Sequence, residues 1–304
     1  MNLSKLYSDP SFPGSFGGAE RFYQAVKKRY PEVTRQKVNQ FLRSQDSFTL
    51  HKTIRRPRKY RRTLVFAPRD LWQIDLLDMQ KFARENRGYK YMCVIIDCFS
   101  KFVWIKPLKT KTGKETVKAL ALLLMNERPQ KIQADQGSEF FNKDVTRMLE
   151  AFGPKLYHSY SEKKATIVER VQRTIRQRLG RLFTHQNNNN WIDHIQEIID
   201  SYNNSYHRSI QMKPANVRQE HVANIFARLF PAEAIKKSKF NIGDRVRITV
   251  KKAFLQKEYK KGWTDEIFVI NRVQQTKPIT YILEDLSKEV LTGGFYAEEL
   301  QHVT

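Results

Sequence analysis

Between about residue 66 and residue 215 the period of the apolar residues switches repeatedly between two and 3.6, and that alternation restricts the fold more than any other feature. LWQIDLLDM (71–79), YKYMCVIID (89–97) and KFVWIKPL (101–108) read as strands. Only Cys98, Phe99 and Ser100 separate the last two, which requires an antiparallel hairpin. GKETVKALALLLMNE (113–127) is a helix, KIQA (131–134) a short buried strand, 141–152 a helix and LYHSY (156–160) a fifth strand. Helices are expected over 166–183 and over 190–203, where Trp191, Ile192, Ile195, Ile198, Ile199 and Tyr202 recur at helical spacing. Asn187–Asn190 reads as a loop with a helix cap. These elements make an α/β core with a mixed five-stranded sheet.

The flanks have other patterns. Residues 1–17 are rich in Gly, Pro and Ser and are expected to be irregular. Phe22, Ala25, Val26 and Tyr30 then mark a helix over 19–30. Thr34 can cap a second helix, with Val38, Phe41 and Leu42 on one side and Arg35, Gln36, Asn39, Gln40 and Arg43 on the other. Two short helices around a turn suggest a helix-turn-helix-like unit with Arg35 and Asn39 toward DNA, or simply a small helical module. HKTIRRPRKYRR (51–62) carries Arg55, Arg56, Arg58, Lys59, Arg61 and Arg62 with no acid, and Pro57 keeps it extended. It can track phosphates or act as a nuclear-import signal. From Lys239, the runs 244–250, 266–273, 280–286 and 290–296 suggest an SH3-like or chromo-like barrel. In the first run Val246, Ile248 and Val250 alternate with outward Arg245, Arg247 and Thr249. The domains are therefore 1–65, helical with a basic linker; 66–215, the α/β core; 216–238, a connector; and 239–304, all-β.

A formal charge of +24 over 304 residues points to a polyanion, most plausibly nucleic acid. Cys93 and Cys98 are the only cysteines, which excludes a disulfide framework and argues against structural zinc. No apolar run reaches the ~18 residues of a membrane span, so a soluble, intracellular protein is expected.

Three acids can converge. Asp75 lies inside an apolar strand, where a carboxylate is costly unless it is paired or binds metal. Its competitor Asp78 faces the other side, and Asp97 is more simply a hairpin residue. Asp135 ends the 131–134 strand before a Gln-Gly-Ser turn, in which Gly137 can take a positive φ. Glu169 lies off the stripe of Val168, Val171, Ile175, Leu179 and Leu182, on a face that continues with Gln172, Arg173 and Arg176. Glu169 can be a metal ligand beside cations for phosphates, or an acid favouring the helix dipole with an i+4 partner.

WQID, DQGSEF and IVERVQRT resemble the catalytic triad of retrovirus-like DDE integrases, with a ribonuclease-H-like core. FGGAERFYQAVKK, SQDSFTLHKTIRR, IIDCFSKFVWIKPLKTKTGKE, KATIVER, DSYNNSYHRSI and GWTDEIFVI extend the resemblance along nearly the whole chain. They are most similar to the integrases of Maverick/Polinton DNA transposons and related virophages. Two departures stand out. Fewer residues separate Asp135 from Glu169 than in the retroviral pattern. Residues 1–65 hold only His51 and no Cys, so the retroviral zinc domain is not carried over.

The resemblance implies catalysis and metal binding by Asp75, Asp135 and Glu169. Two Mg²⁺ or Mn²⁺ ions per site are implied, with Asp75 bridging both and the other two acids holding one each. It further implies 3′-end processing of element DNA and joining to target DNA by transesterification, without a covalent enzyme intermediate. DNA contacts are expected from Gln172, Arg173, Arg176, Lys163, Lys164 and the 51–62 cations, with Tyr160 and Ser161 in the same approach. Glu139 is expected beside the site without being a principal ligand. In the C-terminal domain, Lys251, Lys252, Lys257, Lys260 and Lys261 are expected to add contacts. Partners implied are element ends and target duplex, a homo-multimer of tetramer size or larger, and chromatin through the barrel, with no membrane. The place of work implied is the nucleus, with virion packaging allowed. Rivals are a domesticated DNA-binding protein and a hydrolysis-only nuclease of the same fold.

Overall fold

The computed structural model describes residues 1–55, 57, 60–158, 166–232, 237–250 and 260–303. The chain divides into two units, residues 63–233 and a discontinuous unit of 1–62 with 234–304.

The discontinuous unit begins with helices α1 (Leu3–Ser8), α2 (Ala19–Arg29), α3 (Arg35–Arg43) and α4 (Asp46–Thr49). The start of the chain is not irregular throughout. The Asn2 side chain accepts from Lys5 N at 3.0 Å and caps α1, and Leu3 and Tyr7 then bury against Phe22, Val26, Val38 and Leu42. Thr34 caps α3 through Lys37 N at 3.2 Å, as its position suggests.

The central unit is built on β1 (Leu71–Asp78), β2 (Tyr91–Asp97), β3 (Val103–Leu108), β4 (Lys131–Ala134) and β5 (Lys155–Tyr157) in the order β3-β2-β1-β4-β5. The first three strands are antiparallel, and β4 and β5 run parallel to β1. Strand β3 starts two residues later than expected because Lys101 turns the hairpin at φ +63°. Helices α5 (Gly113–Asn126) and α6 (Lys143–Phe152) bury one face of the sheet with Trp72, Ile74, Cys93, Ile95 and Ile132. Helices α7 (Thr166–Gln186) and α8 (Ile195–Asn203) cover the other, where Leu77, Met92, Val94 and Ile96 meet Val168, Val171, Ile175 and Trp191. Alternation along β1 therefore sends Trp72 and Ile74 toward α5, and Gln73, Asp75 and Leu77 toward α7.

The asparagines before α8 form a loop, as expected. Asn86 is its hub: its side chain donates to Asn189 O and accepts from Trp191 N and Ile192 N at 2.7–3.0 Å. Within 216–238 the chain forms helix α9 (Val222–Leu229), which the sequence reading missed. Ile225 and Phe226 pack with Val65, Leu71 and Phe99, so this segment is part of the central unit's core.

The C-terminal residues form an antiparallel sheet of β6 (Arg245–Ile248), β7 (Phe268–Gln274), β8 (Thr280–Glu284), β9 (Phe295–Tyr296) and β10 (Leu300–His302), in the order β10-β6-β7-β8-β9. The 290–296 run is shortened to a two-residue strand by a turn with Gly293 at φ +104°. Arg247, expected to face solvent, is 7% exposed. Its guanidinium donates to Thr49 Oγ1 at 3.0 Å and to Asp46 at 2.8 Å. Gln301 Nε2 donates to Thr49 O, Gly262 N to Leu50 O and Trp263 Nε1 to Lys52 O. The outward face of β6 and β10 is thus covered by residues 46–52, which a two-residue period cannot reveal.

Candidate active site

The parallel register puts Ile74 beside Ala134, so Asp75 and Asp135 follow as the next pair along neighbouring strands. Asp75 is half-buried, and its carboxylate accepts from Leu76 N at 2.8 Å and Gln172 Nε2 at 2.9 Å. Glu169 stands exposed in the first turn of α7, on the sheet face to which Asp75 points. Burial pushes the Asp75 carboxyl up to about 6, and the negative fields of Asp135 and Glu169 add to that shift. The other two acids found in the sequence are therefore each close enough to act on Asp75. Its competitors have local roles. Asp78 is exposed and accepts from Gln80 N and Nε2, and Asp97 accepts from Arg69 N and from Phe99 N, Ser100 N and Ser100 Oγ of its own hairpin.

The turn after Asp135 closes by Gly137 N donating to Asp135 O at 2.7 Å. Gly137 does not adopt a positive φ. A side chain there would instead run into the Glu139 carboxylate, which folds back over the turn. That places Glu139 beside the strand end, where the sequence reading put it.

Of the expected DNA contacts, Gln172 departs most from expectation. It is 3% exposed, and its amide holds Asp75 while its Oε1 accepts from Arg176 at 3.1 Å. Arg173 and Arg176 are exposed on α7. Arg35 is engaged by Glu20 at 2.9 Å and stacks on Tyr23, and Asn39 is half-buried. Arg55, Arg61 and Arg62 are exposed. The Lys52 amine is held below its usual range by partial burial and by Arg43, Lys239 and Arg55, which marks a concentrated positive field in the discontinuous unit. Lys260 is exposed, whereas Lys261 is engaged by Asp265 at 2.7 Å. Arg56, Arg58, Lys59, Tyr160, Ser161, Lys163, Lys164, Lys251, Lys252 and Lys257 lie outside the described residues.

The donor set at the strand end consists of carboxylate oxygens, which suits a hard divalent cation. Among the described residues no group of three or more His, Cys, Asp or Glu side chains, these three acids included, is placed so that it could hold a metal ion. What the structure places together is Asp75 with the charges of Asp135 and Glu169 acting on it. Cys93 and Cys98 are buried, their thiols pushed up to about 12 chiefly by burial.

Residues 67–164 match the model of the integrase core domain, a span that contains Asp75 and Asp135 and ends before Glu169. A transposon-derived protein of Caenorhabditis elegans is 34% identical over 195 residues, covering 64% of this chain and 66% of that protein. The Gypsy retrotransposon integrase-like protein 1 of Bos taurus is 28% identical over 151 residues, covering 46% and 30%. The chain thus spans less than two thirds of these relatives' length. A chain in the structure of the simian T-cell lymphotropic virus intasome in complex with PP2A regulatory subunit B56 gamma superposes with a TM-score of 0.70. That match has 14% identity and covers 100% of this chain and 99% of that one. Its fold is shared. Within the central unit, residues 67–164 thus resemble an integrase core domain.

Proposed function

We propose, from this integrase core and its three acids, that the protein is a DNA polynucleotidyl transferase acting as a transposon or virus integrase. Its reaction processes the 3′ ends of element DNA and joins them to a target strand. The single observation that carries the reading is the convergence on Asp75 of two further carboxylates from β4 and α7, with no cationic side chain among the groups that set its ionisation. Two carboxylates so placed oppose the ionisation of Asp75, and divalent cations would relieve that opposition. Bound Mg²⁺ or Mn²⁺ would activate the attacking oxygen and neutralise charge on the leaving one. Asp75, held by Leu76 N and Gln172, presents its oxygens from a rigid strand, while Asp135 and Glu169 flank it. Arg173 and Arg176, on the same helix, would hold backbone phosphates and fix the duplex without reading its sequence.

The finer features belong to the same reading. The order of motifs along the chain supports a Maverick/Polinton-type element. An SH3-like closure of the C-terminal sheet, assembly as a tetramer or larger, chromatin contact and action in the nucleus are proposed on that likeness. The +24 charge supports simultaneous binding of several duplex segments.

The test is strand transfer by the purified chain, using a duplex of the element's terminus, a supercoiled plasmid and Mg²⁺ or Mn²⁺, with Glu169→Gln alongside. Joined products from the parent and none from the variant are expected. Cleavage without joining would assign a hydrolytic nuclease. DNA binding with no cleavage under any metal or end sequence would assign a retained DNA-binding protein.

A further inference from the structure

Two glutamines stand in one pattern on neighbouring strands. Gln73 precedes Asp75 by two residues on β1, and Gln133 precedes Asp135 by two on β4. Parallel pairing sets Gln73 directly beside Gln133, and the period of two puts both on the sheet face covered by α7. Gln73 is 0% and Gln133 6% exposed. Gln73 Nε2 donates to Gln133 Oε1 at 2.9 Å. Gln73 Oε1 accepts from Ile167 N and from Val168 N, both at 3.0 Å. These are the second and third described residues of α7, in the first turn, where a helix supplies its own amides with no acceptor. A Ser, Thr, Asn or Asp ahead of the helix commonly supplies that acceptor. Here a side chain from the catalytic strand supplies it, and Glu169 is the next residue.

We propose that Gln73 and Gln133 form a buried amide clamp that positions Glu169 against Asp75 and Asp135. This proposal rests on the reading of the three acids as a metal site and adds two positioning residues to it. A buried amide in a sheet is costly unless every polar atom finds a partner, and an apolar pair would pack here without that requirement. The clamp ties three elements through one side chain. Gln133 fixes the Gln73 rotamer, Gln73 fixes the first turn of α7, and that turn fixes Glu169. Gln172 acts one turn further along on a different acid, so the two devices are separable.

The test uses the full chain in three variants, Gln73→Leu, Gln73→Glu and Gln133→Leu. Hydrogen exchange followed by mass spectrometry reads the amides of 166–175, Mn²⁺ titration without DNA reads the site, and thermal unfolding reads the fold. In Gln73→Leu the first-turn amides of α7 are expected to exchange ~10-fold faster or more, and Mn²⁺ affinity to fall ~10–100-fold, while the rest of the central unit keeps its protection. Gln73→Glu keeps an acceptor for both amides and can take a donor from a turned Gln133 amide, so it is expected to restore first-turn protection. Gln133→Leu frees the Gln73 rotamer and should give an intermediate effect; it decides the matter if Gln73→Leu does not fold. Unchanged exchange and Mn²⁺ affinity in the folded variants would overturn the proposal, as would a uniform rise in exchange across the whole unit. If the parent binds no Mn²⁺ or never joins DNA, the functional reading fails, and the exchange data still decide the clamp.

Discussion

Two aspartates on neighbouring strands of one sheet, Asp97 buried and Asp75 half-buried, show how differently the same side chain can be used. Asp97 ends β2, is 2% exposed, and takes four donors: Arg69 N at 2.6 Å, Phe99 N at 3.0 Å, Ser100 N at 2.7 Å and Ser100 Oγ at 2.9 Å. Asp75, in the middle of β1, takes two donors and faces two other carboxylates. Burial raises both above the ordinary carboxylate range. At Asp97 hydrogen bonds oppose burial from every side, whereas at Asp75 like charges reinforce it. A saturated carboxylate holds a hairpin together, and an unsaturated one among acids is available to a cation. Beyond their difference in burial, donor saturation and the sign of the neighbours separate the two.

That contrast can be broken most decisively by removing each charge in turn. Asp75→Asn is expected to reduce DNA joining by ~10³-fold or more while the protein stays folded. Asp97→Ala should instead unfold at lower denaturant, losing about 2–4 kcal/mol as the hairpin N–H groups are orphaned. Chemical denaturation alongside the joining assay reads both, and a variant that lost both properties together would erase the distinction.

Gln172→Leu sharpens the comparison by removing one of the two donors on Asp75. Mn²⁺ affinity is expected to fall ~10-fold with little change in binding to non-specific duplex, measured by calorimetry and anisotropy. Equal losses in both would return Gln172 to the DNA-contact role that its helix face suggests.

A smaller effect is expected from pH. The folded Asp75 carboxyl holds its proton up to about pH 6, whereas the unfolded chain releases it near the ordinary aspartate value of 3.8. The stability this group contributes is therefore full below the unfolded value and lost as pH rises through about 6. Metal-free Asp75→Asn should lack that decline, becoming more stable than the parent above pH 6 and not below pH 4. Thermal melts of the two across that range check it, and parallel curves would refute the shift. Cation affinity in the parent should fall as pH drops below 6, because the proton competes.

The smallest effect belongs to Arg35. Its pair with Glu20 is exposed, so Arg35→Ala should change stability by ~1 kcal/mol or less. Its guanidinium is already engaged by Glu20 and Tyr23, so duplex affinity should move less than for Arg173→Ala.

The strands of the central sheet and the helix carrying Glu169 were legible because each sits on one periodicity. Strand β4 begins and ends where the apolar run KIQA does. The three acids were legible because a charge inside an apolar strand, at a strand end and off a helical stripe breaks the local pattern. Partners that a period cannot carry were missed. Arg247 alternates like a surface residue and is covered by α4, and Gln172 sits on a polar face and turns inward to Asp75. The clamp did leave a signal, a glutamine two residues before each of two aspartates, but one such pair means nothing until the strands are known to be neighbours.

Arg247 also has a consequence for how the chain comes to be folded. Its partners Thr49 and Asp46 lie 198 and 201 residues earlier, and Gln301 reaches back 252 residues to Thr49. The first helices leave the ribosome long before the strands that cover them exist. They must wait, with residues 46–52 uncovered, while the whole central unit is made. Chains interrupted before β6 would leave those residues open to proteases, so that an incomplete chain would be cleared.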